Sequence, residues 1–147
     1  MKVSSEIEIE APPEEVFETV MDPARLEDWV TTHGGIVEEP EGELAEGSTF
    51  RQRLRVAGVS FKVRWRVARL DRPKLVEWEG EGPGGSSALV RYTLDPLEGG
   101  ATRFGYLNEF ELPGGKLAQL AGGKVGERRG RAEAERSLER LKLLLEP

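Results

Sequence analysis

Few residues of this chain could do chemistry, and most of them are uncharged. The sequence has no cysteine, which excludes thiolate catalysis, disulfides and thiolate metal sites. It has a single histidine, His33, with neither a serine nucleophile motif nor a second histidine to complete a catalytic or metal site. Because His33 stands beside Gly34-Gly35, we expect a solvated loop residue there rather than a general base.

A second group of candidates consists of polar or amphipathic side chains that fall on the apolar rows of predicted strands. They are Gln52, Trp65, Trp78, Tyr92, Tyr106 and Asn108. A buried amide without a partner costs about 1–3 kcal/mol, so Gln52 and Asn108 must find partners, hold water or face a cavity. The competing interpretation puts Gln52 at a sheet edge and Asn108 near a strand end. We favour the cavity.

No segment predicts a metal or phosphate site. The glutamate-rich stretch 38–46 lacks the spaced Asp and Asn ligands of a calcium loop. The glycine-rich stretches 80–85 and 122–130 lack the Gly-Lys-Ser/Thr sequence of a phosphate loop. We therefore expect neither a metal nor a cofactor.

Two neighbouring predicted strands carry six cationic side chains on one face: Arg51, Arg53, Arg55, Lys62, Arg64 and Arg66. Such a face could bind nucleic acid or anionic lipid. The next strand presents three glutamates on the same face, and the register places one of them, Glu79, opposite Arg66. Since the whole chain has a net charge of −6, we favour cross-strand neutralisation and expect no nucleic-acid partner.

Hydrophobic periodicity indicates the elements that must position these side chains. Lys2 to Ile9 alternates as a first strand, and a short helix follows at Pro13. Asp22-Pro23 ends that helix and starts a second one, which we expect from Pro23 to Val30. From Ile36 to Leu112 the sequence alternates as six strands separated by turn residues.

The hairpin that turns at Ala57-Gly58 can be registered from its alternation. Its inward rows place Leu54 opposite Phe61 and Phe50 opposite Trp65. Apolar residues then meet apolar residues on the inner face.

A long helix is predicted from Gly115 to Pro147, with apolar residues on one face near both of its ends. In its middle, the positions expected to face the sheet are small or charged: Gly123, Lys124, Gly126, Glu127, Gly130 and Arg131. Glycine inside a helix costs about 1 kcal/mol relative to alanine, so tertiary packing must hold this segment. The glycines mark either a kink between two shorter helices or a space between helix and sheet.

This order of elements resembles the helix-grip fold of the START-related superfamily, which includes the polyketide cyclase/dehydrase-like proteins. The segments that carry the resemblance are Ile9 to Phe17, Asp22-Pro23 through Leu26 to Trp29, Asp71-Arg72-Pro73, Phe110 to Gly115 and Leu138 to Lys142. The resemblance implies an α+β fold in which a seven-stranded antiparallel sheet curves around a long C-terminal helix, with two short helices after the first strand. It also implies an apolar ligand between sheet and helix.

We therefore expect one domain over residues 1–147 that binds a small hydrophobic or aromatic molecule. The residues expected to contact that ligand are Trp29, Phe50, Gln52, Trp65, Trp78, Tyr92, Tyr106, Asn108, Leu120 and Gly126. Two alternatives remain: a cyclase, aromatase or hydratase in which Tyr92 or Tyr106 orients the substrate, and a regulatory protein with a vestigial pocket. The sequence contains no apolar run that could span a membrane, and we expect a cytoplasmic location. It does not predict the oligomeric state.

Overall fold

A seven-stranded antiparallel sheet dominates the computed structural model, which describes residues 1–112 and 123–147. The strands lie in the order β1-β7-β6-β5-β4-β3-β2. Their bounds are β1 Lys2–Ile9, β2 His33–Glu38, β3 Thr49–Val56, β4 Val59–Asp71, β5 Leu75–Glu81, β6 Ser87–Pro96 and β7 Thr102–Glu111. The predicted helix-grip architecture is confirmed.

The registers predicted from alternation are also confirmed. Leu54 pairs with Phe61 and Phe50 with Trp65 across β3 and β4. On the outer face, Arg66 pairs with Glu79 across β4 and β5. One irregularity, between Val67 and Arg69, was not predicted, and it shifts the pairing of the last part of β4 with β5 by one residue.

Two short helical segments follow β1. Helix α1 spans Pro13–Val20, and helix α2 spans Leu26–Trp29 after a 3₁₀ turn at Pro23–Arg25. The sequence predicted one continuous helix from Pro23 to Val30. The 3₁₀ turn forms instead because the Asp22 side chain accepts a hydrogen bond from the Ala24 N–H at 3.0 Å, while the Asp22 carbonyl accepts one from the N–H three residues on.

The C-terminal helix spans Gly123–Leu145 and is continuous over that range. Residues 115–122 of the predicted helix lie outside the described residues. Gly123, its first residue, has a φ of +72°, a left-handed value outside the α-helical region that glycine adopts readily. Beyond it, Leu138 and Leu141 are buried and anchor the helix, which packs against β1 and α2.

The predicted inward face of this helix was partly wrong. Gly126 is buried and Gly130 half-buried, as expected, but Gly123, Lys124, Glu127 and Arg131 are exposed. A side chain at Gly130 would place its Cβ 3.1 Å from Cγ2 of Val3, so this glycine allows close approach to β1. Among the helices described, none is long and apolar enough to cross a bilayer.

Candidate functional site

A partly enclosed cavity of about 260 Å³ lies between the inner face of the sheet, helix α2 and the C-terminal helix. Its lining is mostly apolar. Nine of the ten predicted ligand-contacting residues line it: Trp29, Phe50, Gln52, Trp65, Trp78, Tyr92, Tyr106, Asn108 and Gly126. The tenth, Leu120, lies outside the described residues.

Aromatic side chains pack edge to face around this cavity. The rings of Phe50 and Trp78 are 5.6 Å apart at 82°, and those of Trp29 and Tyr92 are 6.0 Å apart at 62°. Trp29 also packs edge-on against Phe104 beneath the lining. Such contacts fix each ring against its neighbours. The floor of the cavity is therefore preformed.

The β3–β4 wall of the cavity, which carries Gln52 and Trp65, contains a chain of side-chain hydrogen bonds. Trp65 Nε1 donates to Gln52 Oε1 at 2.9 Å. The Gln52 amide nitrogen, which can only donate, lies 2.8 Å from Nδ1 of His33. His33 Nδ1 must then be the acceptor, so the imidazole is neutral with its proton on Nε2. Gln52 is 5% exposed, and this chain provides its partners.

The expectation that His33 is a solvated loop residue was wrong. His33 is the first residue of β2, pairs with Leu54 of β3 and is half-buried. Burial lowers its pKa from 6.5, and the nearby Glu27 carboxylate partly offsets that effect. His33 does not line the cavity; it orients Gln52, which does. The adjacent glycines suggested a loop, but they lie within an irregular edge strand.

Trp65 reaches its position because its cross-strand neighbour is a glycine. Gly80 lies directly opposite Trp65, and the indole covers it. A Cβ at position 80 would lie 2.6 Å from Cζ3 of Trp65, closer than real Cβ contacts. Any larger residue there would displace the ring and its hydrogen bond to Gln52.

The β5–β7 wall, which carries Trp78, Tyr92, Tyr106 and Asn108, has a different polar character. Tyr92 and Tyr106 face each other across β6 and β7. Burial raises the pKa of Tyr106 to about 12, and a hydrogen bond with the Asn108 side chain partly offsets that rise. Burial raises the pKa of Tyr92 further, and the charge of Tyr106 adds a smaller increase. Both phenols therefore stay protonated at neutral pH and can donate hydrogen bonds.

Three buried polar atoms make no hydrogen bond within the described part of the chain. They are Nε1 of Trp29, Nε1 of Trp78 and Oδ1 of Asn108. Leaving a buried donor or acceptor unmatched costs about 1–3 kcal/mol, so a cluster of such groups indicates a place where a bound molecule could supply the missing partners. All three residues line the same cavity.

A polar contact that the sequence did not predict joins the turn after α2 to the C-terminal helix. The Thr31 N–H donates to Ser137 Oγ at 3.1 Å, and the Thr31 hydroxyl donates to the Glu133 carboxylate, which also pairs with Arg136. Thr31, Glu133 and Ser137 line the cavity.

Comparison with known proteins supports the architecture. The family model described as polyketide cyclase / dehydrase and lipid transport matches residues 1–146. An uncharacterized protein of Mycobacterium tuberculosis is 32% identical over 89 residues, which cover 60% of this chain and 62% of that protein. Another from the same organism is 30% identical over 134 residues, 82% of this chain and 58% of that protein. The matches thus span less than two thirds of either relative's length.

Solved structures share the fold at low sequence identity. A START superfamily protein from Mycobacterium smegmatis superposes with a TM-score of 0.75 at 17% identity, covering 98% of this chain and 96% of that one. A protein from Thermus thermophilus superposes with a TM-score of 0.75 at 19% identity, covering 99% and 97%. Similarity at this level of sequence identity establishes the fold only, so the class of ligand must be argued from the residues of the cavity.

Proposed function

Because this chain belongs to the polyketide cyclase / dehydrase and lipid transport family, we propose that it binds a small hydrophobic or aromatic molecule between the sheet and the C-terminal helix. The observation that carries the proposal is the 260 Å³ cavity, lined mostly by apolar and aromatic side chains. Small-molecule pockets typically measure about 300–1,000 Å³, so this cavity suits one compact ligand.

The polar atoms of the cavity favour an uncharged ligand with an oxygen-bearing ring or chain. The described lining has two charged residues, Arg129 and Glu133, and both lie on the C-terminal helix. The strands contribute none, so burying an unpaired charge of the ligand against the sheet would be costly. Tyr92 and Tyr106 are protonated phenols, which suit a carbonyl or ether oxygen on the ligand. The β5–β7 wall is therefore the side on which the ligand's polar group would bind.

Catalysis in the same cavity is the second candidate, and no observation on the described residues favours it. Burial keeps both tyrosines from acting as bases at neutral pH. The one carboxylate in the described lining, Glu133, is already bonded to Thr31 and Arg136. Binding thus accounts for the site without a reaction.

The binding proposal is tested with an apolar fluorescent probe and one cavity-filling variant. Gly126 is buried and lines the cavity, so Gly126→Leu should fill it while gaining about 0.8 kcal/mol of helix propensity. We expect probe affinity to fall at least tenfold, about 1.4 kcal/mol, with the fold retained. Native mass spectrometry of the freshly purified wild-type protein should also detect a co-purified small molecule.

The matched control is Glu127→Leu, which adds the same side chain at the exposed neighbouring position. It should leave probe affinity unchanged. If Gly126→Leu instead destabilises the protein by about 1–3 kcal/mol, the helix packs tightly on the sheet at that point. That result, or a folded wild-type protein that binds no probe saturably, would overturn the proposal.

A further inference from the structure

The hairpin formed by β3 and β4 extends beyond β5, its neighbour on one side, while β2 on the other side pairs with β3 as far as Leu54. Pairing between β4 and β5 begins at Arg64 opposite Glu81, so residues 59–63 of β4 pair only with β3. The hairpin ends at Ala57-Gly58, where Ala57 adopts a φ of +52° and Gly58 a φ of +80°. Two exposed residues in left-handed conformations make a tight turn at its tip.

The outer face of this extension carries positive charge that its neighbours do not neutralise. Within the described residues, the ion pairs on the outer face of β3 and β4 involve Arg51, Arg66 and Arg69, and none involves Arg53, Arg55 or Lys62. The cross-strand neutralisation predicted from the sequence therefore holds at Arg66 and fails towards the tip. The glutamates of β5 end before they reach these three cations.

The register makes this arrangement unfavourable for folding. Arg53 lies directly opposite Lys62 on β4, and its neighbour on β2 is Gly35, which has no side chain. Like charges directly opposite each other destabilise a sheet. All three cations are exposed, so their side chains contribute nothing to the packing of the core.

The inner face of the same extension belongs to the cavity. Leu54, Val56 and Phe61 line the cavity and are half-buried. Val56 is the last residue of β3, so the apolar lining reaches almost to the hairpin tip. The unneutralised cations thus lie on the other side of the strands that form this end of the cavity.

We propose that the outer face of the β3–β4 hairpin docks the protein onto an anionic phospholipid bilayer. Charge complementarity selects this occupant, since lysine and arginine near an anionic membrane each contribute binding energy. The whole chain has a net charge of −6 even with these three cations included, so repulsion elsewhere would favour this face over others.

Nucleic acid fits the same face less well. Single-stranded nucleic acid binds where bases can stack on exposed aromatic rings, and no large exposed hydrophobic residue within the described chain is aromatic. A patch of three cations is also short for following a phosphate backbone on an acidic protein. Docking does not rest on the proposed ligand, so the two can fail separately.

The test measures sedimentation of the full chain with lipid vesicles. One set contains phosphatidylcholine and phosphatidylglycerol in equal parts, and the other phosphatidylcholine alone. We expect binding to the anionic vesicles only, weakening as salt is raised because exposed charges are screened. Equal binding to both sets, or no binding to anionic vesicles at low salt, would overturn the proposal.

Two triple variants with the same net charge locate the binding face. The hairpin variant combines Arg53→Gln, Arg55→Gln and Lys62→Gln. The control variant combines Lys74→Gln, Arg131→Gln and Arg140→Gln, at exposed positions off the extension. The hairpin variant should bind anionic vesicles roughly a hundredfold more weakly, about fivefold per cation. The control should change much less.

The same samples separate docking from folding and from ligand binding. Both triple variants should bind the apolar probe as the wild type does, because none of the six positions lines the cavity. Equal loss of vesicle binding in both variants would mean a general charge effect and would refute the docking face. Tighter binding to a mixed-sequence single-stranded oligonucleotide than to anionic vesicles would also refute it.

Discussion

The polar side chains of the β3–β4 wall bond one another, whereas those of the β5–β7 wall leave buried atoms unmatched. Gln52 lies between Trp65 and His33 and uses both ends of its amide. On the β5–β7 wall, Asn108 Oδ1 and Trp78 Nε1 make no hydrogen bond within the described residues. Gln52 and Asn108 are both amides on the inward face of a strand. Gln52 therefore has a structural role, whereas Asn108 has an acceptor atom that a ligand could bond.

Gln52→Leu should have the largest effect among the tests of this contrast, and the effect is on stability. The substitution leaves the Trp65 indole N–H and His33 Nδ1 without their partner, so we expect the free energy of unfolding to fall by about 1–3 kcal/mol. Denaturant titration measures the change. Gln52→Glu is a useful companion variant, because it keeps the acceptor for Trp65 and loses the donor to His33.

Asn108→Leu makes the matching change on the β5–β7 wall. Asn108 Oδ1 has no partner to lose, but the Asn108 side chain also bonds Tyr106, so we expect the free energy of unfolding to change by no more than about 1 kcal/mol in either direction. The same titration applies. A loss as large as that from Gln52→Leu would mean that the two walls are equivalent.

A smaller effect should appear in the pH dependence of stability. Burial lowers the pKa of His33 in the folded protein, so the unfolded chain binds the proton first as pH falls. The stability contribution is complete above about pH 6.5 and is lost as pH falls through that value. Melting temperatures across this range should show the loss in the wild type. His33→Asn, which can still accept from Gln52 and does not titrate, should show less of it.

The smallest effect concerns the outer side of the β3–β4 wall. Lys62→Glu would replace the like-charge neighbour of Arg53 with an opposite charge. We expect a stabilisation of about 0.2–1 kcal/mol that disappears at high salt. Ser60→Glu, on the same face opposite Arg55, tests whether the gain is general along the hairpin. If both variants lose stability, Arg53 and Arg55 already have favourable partners in the folded protein, and the inferred like-charge repulsion is absent.

Alternation was enough to predict the strands and the register of the β3–β4 hairpin, whereas the seven-stranded sheet as a whole followed from the resemblance to the helix-grip fold. Strands β3 and β4 each have a clear inner and outer row, so the pairing of Phe50 with Trp65 followed from the turn at Ala57-Gly58. The aromatic residues by which the sheet lines the cavity belong to such inner rows, which is why they could be named in advance. That they contact a ligand stays a prediction.

Contacts between distant segments could not be predicted. His33 looked solvated because its neighbours are glycines, and only the fold brings Gln52 next to it. Thr31 and Ser137 are 106 residues apart, and neither belongs to a motif that would mark it. The face of the C-terminal helix was also predicted imperfectly, since charged and small residues alternate there without a clear apolar stripe.

The close approach of Trp65 to Gly80 implies an evolutionary constraint on both positions. An alanine at 80 would meet the indole at 2.6 Å, so it becomes acceptable only after residue 65 has become smaller. A smaller residue at 65 would in turn leave Gln52 without its indole donor. Among descendants of this sequence, positions 52, 65 and 80 should therefore change together, and a lineage that replaces one of them alone should be short-lived.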